Sequence, residues 1–301
     1  MPYPRRLESR RQATSAAFAW ESALKRKNRK RTLPGFGITM GVTLCYASLI
    51  VLIPMASLAV MSADLGFAGF WKTVSDARTL AALKVSFTCS LLGALINAVF
   101  GLVLAWVIVR YRFPLRRFID GLIELPFALP TAVAGISLTV LTTDKGWLGK
   151  PVFELLGVKI AYTELGIVAA ITFITIPFVV RTVQPVLEQL SPDFEEAGLI
   201  LGAGPARVFF KIVFPEILPA LLTGFSLAFA RGLGEYGSVI FIAGNIPFRT
   251  EIAPLVIMSK LEQFNYDEAT AVALLMLVCS FVIMFIVNRI QVRAASFAGE
   301  K

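Results

Sequence analysis

Apolar residues run through this chain in long stretches, with almost none of the every-second-residue alternation of a half-buried strand. Leu33 to Ala63 carries no charge, and neither does Val85 to Val109. Leu125 to Thr143 is a third such run, with Pro126 and Pro130 set to kink its start. Leu165 to Val180, extending towards Val186, is a fourth and contains Pro177. Leu218 to Ala243 is a fifth, interrupted by Arg231 and Glu235, and Ala269 to Asn288 a sixth. A helix needs about 20 apolar residues to cross about 30 Å of hydrocarbon. The pattern therefore predicts an all-α membrane protein with six transmembrane helices, in one domain over residues 33–301. Nothing in it suggests a β-barrel.

The polar positions say most between the fourth and fifth runs, over residues 187–219. Ser191-Pro192-Asp193 reads as a helix start, with Ser191 as the cap and Pro192 at the first helical position. Glu195 and Glu196 then fall in the first turns, where negative charge suits the helix dipole. Gly202 and Gly204-Pro205 end this helix, and a second short one is predicted from Pro205 through Lys211. Ile212 and Phe214 turn the chain back to the membrane before Pro215 and Pro219. Ala197, Gly198, Gly202 and Ala203 are small enough for another backbone to come close. The segment is expected to be a helix-turn-helix docking surface.

Charge then gives the orientation. Residues 1–32 form a basic arm, with Arg5, Arg6, Arg10, Arg11 and six further cations between Lys25 and Arg31. Arg110, Arg112, Arg116 and Arg117 follow the second run, Arg207 and Lys211 lie in the docking segment, and Arg289, Arg293 and Lys301 mark the tail. The other three connections mix signs. Lys and Arg collect on the cytoplasmic side, so both termini and the docking segment are expected there. The arm is read as cytoplasmic, not as a leader or a nucleic-acid-binding tail. Composition agrees with the membrane reading: 56% of residues are hydrophobic and 16% charged, against roughly 45–50% and 25% in soluble domains.

The residue inventory excludes much chemistry. There is no histidine, which removes Ser-His-Asp catalysis and most zinc sites. Cys45, Cys89 and Cys279 each sit inside an apolar run and are read as small core residues, not a metal site or disulfide frame. Gly146-Trp-Leu-Gly149-Lys150-Pro151 lacks the spacing of a phosphate-binding loop. No catalytic residue, metal site or cofactor is expected in this chain, and any energy from ATP must come through a partner.

Arg231 and Glu235 are the charges inside a membrane run, in Arg231-Gly232-Leu-Gly234-Glu235-Tyr-Gly237. Four residues apart, they would share one helix face. A charge at mid-membrane costs about 2.5–3.5 kcal/mol on insertion scales. They either line the route of a polar solute or neutralise each other as a structural pair. Gly232, Gly234 and Gly237 allow a bend, as a gate needs, or close packing. Lys84 and Glu124, near the ends of their runs, are expected to snorkel to the interface.

Two stretches carry a family resemblance. Glu196-Ala197-Gly198, then Gly202, Ile212 and Pro215, resemble the E-A-A, G, I-x-L-P loop of binding-protein-dependent ABC importers, with Gly198 and Phe214 as departures from its pattern. Arg231 through Asn245-Ile-Pro247, and on through Glu268, is similar to the sulfate, thiosulfate and molybdate permeases, most of all to the T subunit of the sulfate/thiosulfate permease. The resemblance implies the six-span fold of type I importers, in the inner membrane. It implies a second permease subunit, two copies of an ATPase that bind ATP and Mg, and a periplasmic sulfate-binding protein. Docking would then run through Glu196, Ala197, Gly198, Gly202, Ile212 and Pro215, as one part of an ATP-hydrolysing sulfate-transporting complex. Molybdate or tungstate are alternative cargoes, and a secondary transporter or a membrane scaffold are the rival classes.

Overall fold

The computed structural model describes residues 36–299; the basic arm expected over 1–32 lies outside them. Two compact units divide at Ser57 and Leu58. Helix α1, Phe36–Ala63, holds the described part of the first unit, residues 36–57. The second unit continues with α2 (Gly66–Val74), α3 (Ala77–Arg110), α4 (Arg116–Ala128), α5 (Thr131–Thr142), α6 (Gly149–Leu156) and α7 (Glu164–Gln189). Then come α8 (Asp193–Ile200), α9 (Pro205–Val208), a π turn (Phe209–Val213) and α10 (Phe214–Leu233). Helices α11 (Val239–Ile242), α12 (Ala253–Glu262) and α13 (Tyr266–Gly299) complete it, and no strand occurs among the described residues.

Five of these stretches are long and apolar enough to cross a membrane: α1, α3, α7, the continuous rod from Pro205 to Leu233, and α13 through Gln291. The sixth expected span falls on a bent pair, the geometry of a broken span or a re-entrant loop. The chain turns through 113° between α4 and α5. Leu129 is extended and Pro130 precedes α5, so the predicted kink becomes a corner. The fifth span also departs from expectation. The sequence predicts it over Leu218 to Ala243, but the helix starts at Pro205, passes without a turn through Ile212 to Pro215, and stops at Leu233. The π turn just before Pro215 loosens the ladder where proline removes a donor, which lets the helix continue.

The core lies where α3, α7 and α10 meet, around Ala105, Ile108, Val179, Val183, Ile217 and Phe229. Helices α3 and α7 run in the same direction and touch twice at the same interval. A side-chain carbon on Gly93 would come within 2.8 Å of Ile171 Cγ2, and one on Gly101 within 2.9 Å of Val179 Cγ1. Between these contacts the buried Asn97 donates to the Thr172 carbonyl at 2.9 Å and to Thr175 Oγ1 at 2.8 Å. Small residues at a helix interface give the close packing that membrane helices depend on. The opposite face of α3 exposes Leu92, Val99, Phe100 and Val103, as a lipid-facing surface should. Of the cysteines, Cys89 is buried, Cys279 half-buried and Cys45 exposed, so the core reading fails for Cys45.

Candidate functional site

The docking segment is built from local signals. Ser191 Oγ accepts the Asp193 N–H at 3.3 Å, and Asp193, Glu195 and Glu196 occupy the first turn of α8. The helix closes on Gly202, whose φ of +82° belongs to the left-handed region. The Ala203 N–H donates to the Gly198 carbonyl at 3.1 Å and the Gly202 N–H to the Leu199 carbonyl at 3.0 Å, the paired bonds of a Schellman ending. Pro205 then opens α9 at its first turn.

Gly198 has a different task. It is buried, and a side-chain carbon there would lie 2.9 Å from Ile212 Cδ1 and 3.0 Å from Val208 Cγ2. The room it leaves is filled by the second half of the same segment, where sequence reasoning had an incoming backbone. Ile212 and Pro215 are half-buried, while Glu196 and Ala197 are exposed. Beyond them Ile200 and Leu201 are each 86% exposed. The segment is a folded knob with a closed interior and an apolar tip.

The last turn of α3 fixes this knob to the helix bundle. Arg110 Nη2 lies 2.7 Å from Glu195 Oε1 and donates to the Leu190 carbonyl at 3.1 Å. Its guanidinium stands 5.6 Å over the Trp106 ring. Trp106, one turn back, meets Phe209 of the π turn edge-on at 5.2 Å. Sequence reasoning used Arg110 only as a topology marker; its distance along the chain from Glu195 leaves no spacing signal.

Arg231 and Glu235 are brought together, but not on one helix face. Arg231 is in the last turn of α10, where its charge suits the helix terminus. The helix stops at Leu233, and Glu235 lies beyond it. Arg231 Nη1 is 2.6 Å from Glu235 Oε2, and Glu235 Oε1 accepts from the N–H and Oγ of Ser238, each at 3.0 Å. The Glu235 side chain is 2% exposed and that of Arg231 37%. Gly232 packs under Ile171 and Gly237 against Thr131, whereas nothing lies within 4 Å of a side-chain carbon at Gly234. Packing thus accounts for two of the three glycines, and the third sits where α10 ends.

Other partnerships were not foreseen. Glu124, expected to snorkel, pairs with Arg181 at 2.7 Å, and Arg181 also holds Asp120 at 2.8 Å. At the end of the bundle away from the knob, Arg78 grips the buried Glu251 through two bonds of 2.6 and 2.8 Å. Beside it opens a polar cavity of about 440 Å³, lined by Lys72, Thr79, Ser259 and Lys260 among others.

Comparison with known proteins follows the same lines. Residues 97–296 match the family model described as binding-protein-dependent transport system inner membrane component. The sulfate transport system permease protein CysT of Salmonella typhimurium is 45% identical over 264 residues, 88% of this chain and 95% of that protein. CysT of Synechocystis is 40% identical over 281 residues, 93% of this chain and 98% of that one. Among solved structures, a chain of a bacterial ABC transporter that imports the acidic polysaccharide alginate superposes with a TM-score of 0.71 at 17% identity. That match covers 86% of this chain and 95% of the other, and at such identity it speaks for the fold alone.

Proposed function

This chain belongs to the binding-protein-dependent transport system inner membrane components and, among them, to the sulfate permeases; from that premise we propose an ATP-driven import cycle worked through the knob at residues 187–219. It is a multi-pass protein of the inner membrane. Both termini and the knob face the cytoplasm, where two ATPase copies hold ATP and Mg and engage α8. A second permease subunit completes the path, and a periplasmic binding protein delivers sulfate or thiosulfate. Closure of the ATPase pair opens the bundle outward, and hydrolysis reverses it.

The observation that carries this reading is the knob itself. An apolar tip of Leu199, Ile200 and Leu201 is exposed on a segment closed inside by Gly198 against Val208 and Ile212. Exposed apolar clusters held on rigid supports suit protein contacts. Glu196, Ala197, Gly202 and Pro215 shape this surface, with Gly198 and Ile212 beneath it. In the path, the guanidinium of Arg231 is the group that meets the oxyanion. It keeps over a third of its surface free, while the carboxylate of Glu235 is enclosed by Arg231 and Ser238. Gly232, Gly234 and Gly237 set the break that holds the pair.

The test is sulfate uptake into proteoliposomes holding the permease pair and the ATPase. Uptake is expected only with internal ATP and loaded binding protein. Uptake driven by an ion gradient without ATP would overturn the proposal in favour of a secondary transporter.

A further inference from the structure

Besides the rod that runs on into α10 and the link to α7, the knob is held to the bundle by side chains at the end of one helix, α3. Trp106 and Arg110 are four residues apart at the end of α3 and so share a face. Trp106 holds the π turn through Phe209, and Arg110 holds α8 through Glu195. Arg110 also holds the end of α7 through the Leu190 carbonyl. Its side chain is 14% exposed, so these contacts are shielded from water and salt. Helix α8 has eight residues, too few to be stable unsupported. It reaches α7 through the short link Leu190-Ser191-Pro192.

At the other end, α3 is equally committed. Arg78 grips Glu251, and Ser86 Oγ accepts the Ala253 N–H at 2.8 Å. Both partners lie where the connection after α11 enters α12. The 32 residue steps from Arg78 to Arg110 span roughly 48 Å at 1.5 Å per residue. Sliding of α3 along α7 is blocked by Ile171 over Gly93, Val179 over Gly101, and the Asn97 hydrogen bonds.

We propose that Arg110 is a positioning residue for coupling: it clamps the docking helix α8 to the α3–α7 pair, so that a displacement imposed on α8 moves that pair as one body and carries the Glu251 segment at the far end with it. This rests on the reading that α8 docks an ATPase. The clamp converts a local push into motion at the far end without any bond being made or broken in the membrane. Loss of the clamp leaves α8 held by its short link and by its packing on Val208 and Ile212, so that it moves with the start of α10 while α3 stays behind. Hydrolysis then proceeds without transport.

The experiment uses the full complex in proteoliposomes and reads ATP hydrolysed per sulfate imported. Arg110→Gln keeps most of the side-chain bulk and removes the charge; at least a fivefold rise in that ratio is expected. Glu195→Gln and, at the far end, Arg78→Gln should shift it in the same direction, and Arg110→Lys should restore part of the coupling. Arg181→Gln, which breaks both ion pairs between α4 and α7 outside the clamp, should leave the ratio as in the parent. Should Arg110→Gln fail to assemble, the Glu195 and Arg78 variants decide by the same ratio. A cysteine at Glu196 tests docking separately, by cross-linking to the ATPase subunit. Cross-linking with a parental ratio in the clamp variants overturns the inference alone. No cross-link in the otherwise unaltered complex overturns the docking reading and the inference with it. An equal rise in Arg181→Gln also overturns it, since general loosening would then be the cause.

Discussion

Gly202 separates two ways in which the knob can fail. Its φ of +82° places it in the left-handed region, and no atom lies within 4 Å of where a side-chain carbon would stand. Any substitution there therefore strains the backbone without a clash inside the protein. For an ordinary L-residue that strain is about 1–2 kcal/mol, and asparagine bears it better than alanine. If only the Schellman-closed knob binds the ATPase, the apparent affinity falls with the closed fraction. One to two kcal/mol then corresponds to a loss of up to about 5–30-fold, the full factor being approached where open and closed knobs are already near balance. Gly202→Ala should show that loss and Gly202→Asn a smaller one. Gly202→Trp carries the same backbone strain and also fills the space a partner would occupy, so its association should drop below detection. All three should insert normally, because the knob's packed interior uses Gly198, not Gly202. The assay is ATPase binding to detergent-solubilised permease, followed by ATPase stimulation by loaded binding protein. Parental affinity in Gly202→Ala would show that the turn is not needed in its closed form. Parental affinity and coupling in Gly202→Trp would show that the partner contacts another surface.

Two further outcomes are expected. Cysteines at Lys150 and Lys211, both exposed, should be labelled by impermeant reagent from opposite sides of the membrane; labelling of both from one side refutes the six-span topology. Glu235→Ala strips Ser238 of its acceptor and leaves Arg231 without its counter-charge. Breaking a fully buried pair costs about 3–5 kcal/mol; with Arg231 partly exposed, about 2 kcal/mol is expected, seen as a lower melting temperature in detergent and reduced uptake. An unchanged melting temperature would show that the pair does not hold the break after α10.

The knob was legible in the sequence because its instructions are local. Ser191, Pro192, Gly202 and Pro205 each act within a few residues of where they sit, and a helix start, a left-handed ending and a second start follow in order. The span positions were legible in number more than in place. Hydropathy runs on from Leu218 to Ala243, so nothing in it signals that the helix stops at Leu233. The stop is set by glycines that pack against Ile171 and Thr131, and by a carboxylate whose partners straddle the break. The spacing of Arg231 and Glu235 fitted a helix face equally well, and only the fold decides between the two. Likewise Pro130 announced a kink, but the angle depends on what α4 and α5 pack against. The pairs Arg110–Glu195 and Arg78–Glu251 join residues far apart in the chain, and no periodicity can connect them.

The corner between α4 and α5 bears on how the protein is made. Helix α5 has 12 residues, roughly 18 Å at 1.5 Å per residue, well short of the hydrocarbon thickness. It leaves the ribosome before α7, before α10, and long before α11, yet Gly135 in its middle is pressed against the backbone of Ser238, next to α11. Its tightest partner is thus synthesised about 100 residues later. Through that interval α5 is short of a complete span and lacks its main partner, although α7 already packs on it. The packing of α5 is therefore finished only when α11 has been made, near the end of translation and not in its turn.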